Sequence, residues 1–291
     1  MTALASRPPI FGEHQARLHA GTVAWRLSID KLVQTPHAIV AFGHRNQQPV
    51  VLKIIKNRGD EWCSGAALDA FGGRGMVRVL EHADGAVLLE RLVPGRSLAD
   101  SQDINDDKAT TILADVIARM SPGPPPNTAP TVHACARSFE QYAPGETSSI
   151  PRSLVETAHR TYLKLCASQT STQLLHGDLH HHNVLLDSER GWLAVDPKGV
   201  VGEPAYELGA ALRNPIERPD LYAIPATIRK RVEYFGRVLQ LDTTRILAWA
   251  FAQAVLAAIW ELEDDGVLNA GRGCIRLARV IREMLRGELD A

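Results

Sequence analysis

Two short apolar segments in the second half of the chain constrain the fold more than any other feature. Residues 184–186 and 192–195 have the composition of strands, and residues 188–191 between them supply the small and polar side chains of a turn. The pattern therefore predicts a β-hairpin. Asn183 immediately precedes the first strand and Asp196 follows the second. Pairing of the two strands would bring these side chains next to each other.

A second acidic residue, Asp178, lies upstream of the hairpin. It stands five positions before Asn183, at the end of the run His176-Gly177-Asp178. Carboxylate and amide oxygens suit magnesium. Catalysis of phosphoryl transfer consists mainly of positioning the attacking oxygen and neutralising phosphate charge with metal ions. We therefore interpret Asp178 as the residue that orients or deprotonates an acceptor hydroxyl. Asn183 and Asp196 are the predicted magnesium ligands.

Four histidines in the same segment, His176 and residues 180–182, leave two alternatives open. The first is a zinc cluster, since imidazole is a common zinc ligand, but no cysteine or acidic residue completes a familiar ligand spacing. The second is a polar loop between two core strands. It accounts for the histidines, but not for the acidic residues placed before one strand and after the next.

Size and charge restrict the class of protein. A chain of 291 residues with 45% hydrophobic content can bury a substantial core, in one large domain or in two lobes. A formal net charge of −1 does not favour a nucleic acid or another polyanion as partner.

The sequence also carries signals of cellular location. The cysteines are scattered without paired or metal-binding spacing, which is typical of free thiols in a reducing compartment. Residues 1–20 lack a signal-peptide pattern. The longest apolar run, residues 246–260, includes Gln253 and is shorter than the roughly 20 residues of a membrane span. We therefore expect a soluble, cytoplasmic protein that does not associate with membranes.

The two halves of the chain differ in pattern. Strand-like segments occur in the first half at residues 38–42, 50–55, 76–80 and 86–89, with a helical segment at 60–71 between them. Helical patterns dominate the second half, at residues 98–120, 151–168, 204–212, 225–240, 243–263 and 273–286. The predicted fold class is α+β, with a small antiparallel sheet followed by a mainly helical part.

One lysine stands out in the first half, because Lys53 interrupts an otherwise apolar strand. A buried ammonium group needs a counter-charge or an anionic ligand, and Glu61 in the next segment is a candidate partner. The alternative is that Lys53 lies on the solvent face of an alternating strand. When Lys53 is considered together with Asp178, Asn183 and Asp196, phosphate binding is the favoured interpretation.

These residues resemble the motifs of the aminoglycoside phosphotransferases, which share the two-lobed fold of protein kinases. The resemblance is greatest to the branch that contains streptomycin 6-kinases and hydroxyurea phosphotransferases, and it covers about residues 25–285. The matching segments are residues 51–53, 61, 72–75, 77–80, 88–92, 94–95, 176–183, 196–199, 202–207 and 213–215. The segment from His176 to Asn183 is specific to the broad kinase-like group, whereas residues 196–199 and 213–215 indicate the branch.

The resemblance implies a nucleotide-binding N-lobe at residues 1–92, a hinge at about residues 89–95, and a helical C-lobe at residues 93–291 with the catalytic loop and the substrate site. It also implies that Lys53 holds the α- and β-phosphates of ATP and is oriented by Glu61. ATP and magnesium are the implied cofactors.

For the adenine, the resemblance implies contacts with the backbone of Glu90 and Leu92, so that their side chains should matter little. No Gly-x-Gly-x-x-Gly loop precedes the lysine strand, and the corresponding turn contains Thr35, whose hydroxyl or amide is a candidate phosphate contact. Residues 197–199, Pro-Lys-Gly, replace the Phe-Gly that follows the metal-binding aspartate in protein kinases. This replacement argues for a small-molecule kinase.

The acceptor site has one candidate. Residues 260–265 end a long apolar helix with four acidic residues, at the end where the helix dipole is negative. Helical spacing puts Trp260, Glu263 and Asp264 on one side, where they would bind the amines or guanidines of an aminoglycoside while Trp260 packs on a sugar. The alternatives are a solvated acidic helix end and pairing of the acids with the arginines of the last helix.

The leading prediction is thus an ATP- and magnesium-dependent O-phosphotransferase for a small-molecule hydroxyl, with a streptomycin-type aminoglycoside as acceptor and antibiotic resistance as the outcome. The alternatives are a kinase of hydroxyurea or another small metabolite, a nucleotide-binding pseudokinase, and a histidine-rich metal protein. The intact set of Lys53, Asp178, Asn183 and Asp196 argues against a pseudokinase, since binding alone would not require the base.

Overall fold

The computed structural model describes residues 11–59, 61–142 and 149–286. An antiparallel sheet with two helices comes first in the chain, and a mainly helical part with two small sheets follows it. This arrangement confirms the predicted α+β class.

The N-lobe contains a five-stranded antiparallel sheet in the order β1-β2-β3-β5-β4. Its strands and helices are α1 Phe11–Ala24, β1 Ser28–Gln34, β2 Ala38–Arg45, β3 Gln48–Ile55, α2 Ser64–Phe71, β4 Val79–Ala83 and β5 Ala86–Glu90. On the central strand β3, Lys53 pairs with Val40 of β2 and with Val87 of β5. Only 7% of Lys53 is exposed, so the alternative of a solvent-facing lysine is wrong.

The C-lobe is mainly helical. Its helices are α3 Asp106–Arg119, α4 Arg137–Gln141, α5 Arg152–Ala167, α6 Leu208–Leu212, α7 Pro219–Tyr222, α8 Pro225–Leu239, α9 Thr243–Asp265 and α10 Gly271–Met284. Its strands are β6 Pro94–Ser97, β7 Gln173–Leu175, β8 Val184–Asp187, β9 Gly191–Ala194 and β10 Val200–Gly202. They form a three-stranded sheet, β6-β8-β9, and a pair, β10-β7.

Helix α9 forms the centre of the C-lobe. Trp249 on α9 is fully buried, and its ring meets Tyr162 of α5 edge-on with the centroids 5.0 Å apart. Tyr206 makes a second edge contact with the same ring at 5.1 Å. Edge-to-face aromatic contacts of this kind add to the stability from burial, and they fix the segment around Tyr206 against the core.

The length and apolar composition of α9 would suffice for a membrane span. The helix has 23 residues and is therefore longer than the apolar run at residues 246–260, which was too short for a membrane span. However, 67% of its most apolar window is buried inside the protein. Burial of this kind explains an apolar helix as the core of a lobe.

Three sequence-predicted elements differ from the structure. The helix predicted at residues 98–120 begins only at Asp106, because the Asn105 side chain caps it by accepting a hydrogen bond from Lys108 N at 3.0 Å. The strand predicted at residues 76–80 is displaced to β4, and Met76 instead bridges Ala194 of the C-lobe. The helix predicted at residues 60–71 begins at Ser64 in the structure, and residue 60 lies outside the described residues.

Candidate active site

The predicted hairpin is present as β8 and β9, with Val184 paired to Ala194. Beyond the last pair, Val195 N donates to Asn183 O at 2.9 Å. The hairpin therefore places Asn183 and Asp196 at the same end, as the sequence predicted. Asp196 has a φ of 58°, in the left-handed region. Asp and Asn adopt this conformation more readily than most other residues, and it turns the chain away from β9.

Lys53 joins the two lobes through two carboxylates. Its Nζ lies 2.9 Å from Glu61 Oε2 and 3.0 Å from Asp196 Oδ1. Burial alone would lower the pKa of Lys53, but the two carboxylates outweigh it and raise the pKa above its ordinary value. The lysine therefore stays charged, and the expected pairing with Glu61 is present.

Asp178 lies across the cleft, partly buried and surrounded by cations. Arg213 donates from Nη2 to Asp178 Oδ1 at 2.9 Å, and Asn183 donates from Nδ2 to the Asp178 carbonyl at 3.0 Å. Burial alone would raise the pKa of Asp178, but the basic side chains around it, above all Lys198, lower it well below its usual range. The carboxylate is thus ionised throughout the physiological pH range.

A buried glutamate holds the loop that carries Asp178. Glu207, only 2% exposed, accepts hydrogen bonds from His176 N at 2.8 Å and Gly177 N at 3.0 Å. Burial raises the pKa of Glu207 to about 7, although these two N–H groups act in the opposite direction. On the other side of the loop, His176 Nε2 lies 2.7 Å from Val195 O of the hairpin. Asp178 is therefore fixed against both the hairpin and the helical core.

Three of the four histidines of the loop, His176, His180 and His182, have structural partners, whereas the ring nitrogens of the buried His181 have no hydrogen-bond partner among the described residues. His182 lies 3.2 Å from a carboxylate oxygen of Glu217 and donates from its backbone N to His180 Nδ1 at the same distance. Burial lowers the pKa of His180 to about 4, so this ring is neutral. No three His, Cys, Asp or Glu side chains of the described segments converge on one point. The geometry gives no support to the zinc alternative.

A cavity of about 220 Å³ lies between the sheet and the hairpin, next to Lys53 and Asp196. It is lined by apolar side chains of both lobes, among them Val40, Phe42, Val51, Val77, Leu89, Leu92, Leu185 and Val195. Apolar walls above and below a flat gap suit a planar base. Glu90 and Leu92 line the same gap, in the positions that the sequence predicted for the hinge.

The Glu90 side chain has a structural role, while the backbone contact of Glu90 with adenine stays a prediction. Oε1 of Glu90 accepts a hydrogen bond from Arg78 N at 2.8 Å, and it also forms an ion pair with the Arg190 guanidinium. Arg190 also donates to the carbonyls of Gly73 at 2.7 Å and Met76 at 3.0 Å. Because Arg190 belongs to the β8–β9 turn, this cluster links the β8–β9 hairpin to the end of β5 and to the loop after α2.

Thr35 lies in the turn between β1 and β2, where its hydroxyl accepts a hydrogen bond from Ala38 N at 2.9 Å. The hydroxyl is thus already engaged in the turn. The neighbouring residue His37 is the one that lines the larger cavity between the lobes. The Thr35 backbone is engaged as well, since its N–H donates to Ala38 O at 2.9 Å and its carbonyl accepts from Lys56. A phosphate contact of Thr35 therefore stays a prediction.

The larger cavity has a volume of about 450 Å³ and opens beside Asp178. It is lined by His37, Ile55, Asn57, Gly59, Glu61, Asp178, Lys198 and Asp264. Nearby, Ser138 of α4 accepts a hydrogen bond from Trp260 Nε1 at 3.0 Å and donates to Glu263 at 3.2 Å. Ser138 therefore joins Trp260 and Glu263, two of the residues predicted to bind the acceptor, and the third, Asp264, lies on the cavity wall.

The acids at the end of α9 do not act together. Glu261 caps the next helix by accepting hydrogen bonds from Ala270 N at 2.9 Å and Gly271 N at 2.7 Å. Among the ion pairs of the described residues, none joins residues 261–265 to an arginine of α10; Arg286, just after that helix, pairs with Glu283. Glu263 and Asp264 thus have no arginine partner among these ion pairs.

With this geometry established, comparison with known proteins identifies the chain. The family described as aminoglycoside/hydroxyurea antibiotic resistance kinase matches residues 25–266. The chain belongs to this family. As a member of the aminoglycoside/hydroxyurea kinase family it is a phosphotransferase, an enzyme that moves a phosphoryl group to a hydroxyl group.

Three relatives are similar over much of their length. A streptomycin 6-kinase of Streptomyces griseus is 30% identical, over 82% of this chain and 80% of the relative. A streptomycin 3''-kinase of Klebsiella pneumoniae is 31% identical, over 91% of this chain and 99% of the relative. A hydroxyurea phosphotransferase of Kitasatospora aureofaciens is 32% identical, over 69% of this chain and 58% of the relative. These matches confirm the resemblance seen in the sequence.

Solved structures confirm the two-lobed kinase-like fold. A thermostable aminoglycoside phosphotransferase in ternary complex with ADP and hygromycin B has a TM-score of 0.61 at 15% identity, covering 91% of this chain and 97% of that chain. A choline/ethanolamine kinase family protein of Mesorhizobium loti has a TM-score of 0.64 at 12% identity, covering 94% and 96%. At such identities the likeness concerns the fold alone.

Sequence reasoning left two site residues without a role, Glu207 and Arg213. Both lie in segments that carried the resemblance, Gly-Glu-Pro-Ala-Tyr-Glu and Arg-Asn-Pro. A charged residue next to apolar neighbours was the available signal, as it was for Lys53. Only the fold shows that the two side chains reach the loop around Asp178.

Proposed function

We propose that this kinase transfers the γ-phosphoryl group of ATP to a hydroxyl group of a streptomycin-type aminoglycoside, and that this reaction confers resistance. One observation carries the proposal. The Lys53–Glu61–Asp196 cluster and the Asp178–Arg213 pair belong to different parts of the chain and come together at one cleft. The cleft has an apolar gap on one side and an acid-lined cavity on the other.

The nucleotide site follows from the charges. Lys53, held by Glu61, would bind the phosphates, and the apolar gap beside Leu92 would take the adenine. Closure of the lobes over ATP would exclude water from the reacting phosphate. We assign residues 1–92 to the nucleotide-binding lobe, a hinge to about residues 89–95, and residues 93–291 to the lobe with the acceptor site.

Asn183 and Asp196 fit a magnesium ion. Asn183 uses its amide nitrogen to bond the Asp178 carbonyl, so its amide oxygen stays available as a ligand. Asp196 is 44% exposed and contacts Lys53 through Oδ1, which leaves Oδ2 toward solvent. Two hard oxygen donors with open positions for phosphate and water suit this cation. Magnesium would neutralise the charge of the phosphates when bound.

Asp178 orients the acceptor hydroxyl and receives its proton. Its lowered pKa keeps it ionised, and the bond from Arg213 to Oδ1 leaves Oδ2 for the acceptor. A weakly basic carboxylate is adequate here, because positioning and charge neutralisation supply most of the catalysis.

The acceptor class rests on charge and size. Glu263 and Asp264 would meet the guanidine or amino groups of an aminoglycoside, and Trp260 lies beside them. A cavity of about 450 Å³ is within the usual range for a drug-sized ligand. Hydroxyurea is the second candidate, supported by the relative at 32% identity, although it would fill little of this space. The relatives named for the 6- and 3''-hydroxyls are similar to this chain at 30% and 31% identity, so identity does not select the hydroxyl.

The experiment is an ATP-consumption screen with magnesium over streptomycin, other aminoglycosides, hydroxyurea and simple sugars. We expect turnover with streptomycin and a product whose phosphorylated hydroxyl is located by phosphorus NMR. Turnover of hydroxyurea but no aminoglycoside would replace the acceptor assignment. If none of these compounds is phosphorylated, the acceptor assignment is overturned. Because ATP is the donor, we place the enzyme in the cytoplasm.

A further inference from the structure

The basic side chains of the cleft differ in whether they have a positive charge that is not already paired. Lys53 already contacts two carboxylates, Glu61 and Asp196. Arg213 is 7% exposed and donates to Asp178 itself. The ring of His180, in the catalytic loop, accepts a hydrogen bond from His182 N on its Nδ1 at 3.2 Å, so this nitrogen carries no proton and the ring is uncharged. These three groups therefore offer little spare positive charge to a phosphoryl group that leaves ATP.

Lys198 is different. None of the ion pairs of the described residues involves its ammonium group, in contrast to those of Lys53 and Arg213, and Nζ lies 4.5 Å from the ring centroid of Trp260. A cation–π contact holds an ammonium group without neutralising it. The Lys198 backbone is held by a hydrogen bond from its N–H to His176 O at 2.8 Å. The charge is thus kept in place by both its backbone and its side chain.

Lys198 lines two cavities on the side of the cleft where Asp178 lies. It lines the cavity that contains Glu61 and Asp178, and it also lines a neighbouring cavity of about 290 Å³ that contains Gly177 and Trp260. A phosphoryl group passing to a hydroxyl held by Asp178 would therefore come within reach of this ammonium.

We propose that Lys198 is a catalytic residue that binds the equatorial oxygens of the phosphoryl group while it is transferred; the inference rests on the proposed function and deepens it. In the step, the bond between the γ-phosphorus and the β–γ bridging oxygen breaks, and its electron pair stays on ADP. A bond forms between the acceptor oxygen and the γ-phosphorus, and the hydroxyl proton passes to Asp178. Lys198 takes no part in the covalent changes and neutralises the charge that spreads over the three oxygens.

The test compares Lys198→Met, Lys198→Arg and a matched control, Lys164→Met on the exposed side of α5. We expect Lys198→Met to lower kcat by about 10²–10³-fold, the usual effect of removing one charge-stabilising group. The ATP KM and the calorimetric affinity for ADP should change little. Lys198→Arg should restore part of kcat, because it restores the charge, and Lys164→Met should match the wild type.

A binding measurement decides the proposal without an acceptor. ADP with aluminium fluoride and magnesium imitates the planar phosphoryl group, and Lys198→Met should bind this mixture much more weakly than the wild type while binding ADP equally well. Equal affinity of both proteins for the mixture would overturn the proposal. So would a variant whose acceptor KM rises while kcat is unchanged, since Lys198 would then bind the acceptor. If the wild type phosphorylates no acceptor, the proposed function fails, and the aluminium fluoride comparison still decides the role of Lys198.

Discussion

The Asp196 carboxylate, at the end of a C-lobe hairpin, lies 3.0 Å from Nζ of Lys53 in the middle of the N-lobe sheet. The same ammonium group contacts Glu61 at 2.9 Å. A buried cation held between carboxylates from two lobes ties the lobes together when no nucleotide is bound. In the proposed function, phosphates and magnesium would compete for these same groups, so we expect nucleotide binding and lobe orientation to be coupled at Lys53.

Asp178→Ala should lower kcat by several orders of magnitude while the affinity for ATP stays close to that of the wild type. The variant removes the group that orients the acceptor but leaves Lys53, Glu61 and Asp196 in place. Steady-state kinetics and calorimetry with ATP separate the two effects. A parallel loss of turnover and ATP affinity would show that Asp178 has a structural role.

Asp196→Ala should abolish the part of nucleotide binding that depends on magnesium. Lys53 would keep Glu61 as its partner, so binding of ADP in EDTA should persist. Calorimetric titration with ADP, with and without magnesium, measures the difference directly. If magnesium strengthens binding to the variant as much as to the wild type, Asp196 is not a metal ligand.

Glu207→Gln should change how stability depends on pH. Burial raises the pKa of Glu207 from 4.5 to about 7, so the folded protein holds this proton more tightly than the unfolded chain. Its contribution to stability is therefore fully present below pH 4.5 and is lost as the pH rises to about 7. Relative to the glutamine variant, the wild type should lose about 3 kcal/mol over that window, at 1.36 kcal/mol per pKa unit.

Urea unfolding of both proteins at several pH values between 4 and 8 tests this linkage. Taking the difference between the two proteins cancels the other titrating groups. The exposed Glu189→Gln variant serves as a control whose difference from the wild type should stay flat. A flat difference for Glu207→Gln as well would mean that Glu207 titrates at its ordinary pKa.

Arg190→Met should lower the free energy of unfolding by about 2 kcal/mol. The substitution removes the ion pair with Glu90 and the hydrogen bonds to the carbonyls of Gly73 and Met76. It should also raise the KM for ATP, since Glu90 lines the adenine gap. Urea unfolding and kinetics provide the two measurements.

Arg152→Met is the matched control for this experiment. Arg152 is 80% exposed and pairs with Glu156 within one helix. An exposed pair of this kind contributes less than about 1 kcal/mol. Equal, small effects of both substitutions would show that the Arg190 cluster does not stabilise the hinge.

The hairpin, the lysine strand and the acid at each end of the catalytic segment could be predicted, because each is a local pattern. Period and turn composition determine a hairpin within about ten residues, and a lysine in an apolar strand requires a counter-charge. Helix boundaries were predicted less well. The start of α3 depends on a cap at Asn105. Residues 98–105 form the turns that lead to it from β6, which pairs with β8 far along the chain.

The roles of Glu207, Arg190 and Lys198 depend on contacts between distant parts of the chain. Glu207 reaches a loop that lies 30 residues upstream, and Arg190 reaches Glu90 across 100 residues. Lys198 marked only the branch of the family in the sequence, while the fold places it against Trp260.

The sequence by itself determined which chemical groups are available: a lysine, two aspartates and an asparagine suited to phosphate and magnesium, and acids suited to a cationic acceptor. The tertiary structure decided which of these groups stay charged, which are already paired, and which line the cavities beside Asp178. The reason is physical. Charge and pairing depend on burial and on neighbours within a few ångströms, and packing of the two lobes brings those neighbours from remote positions in the chain.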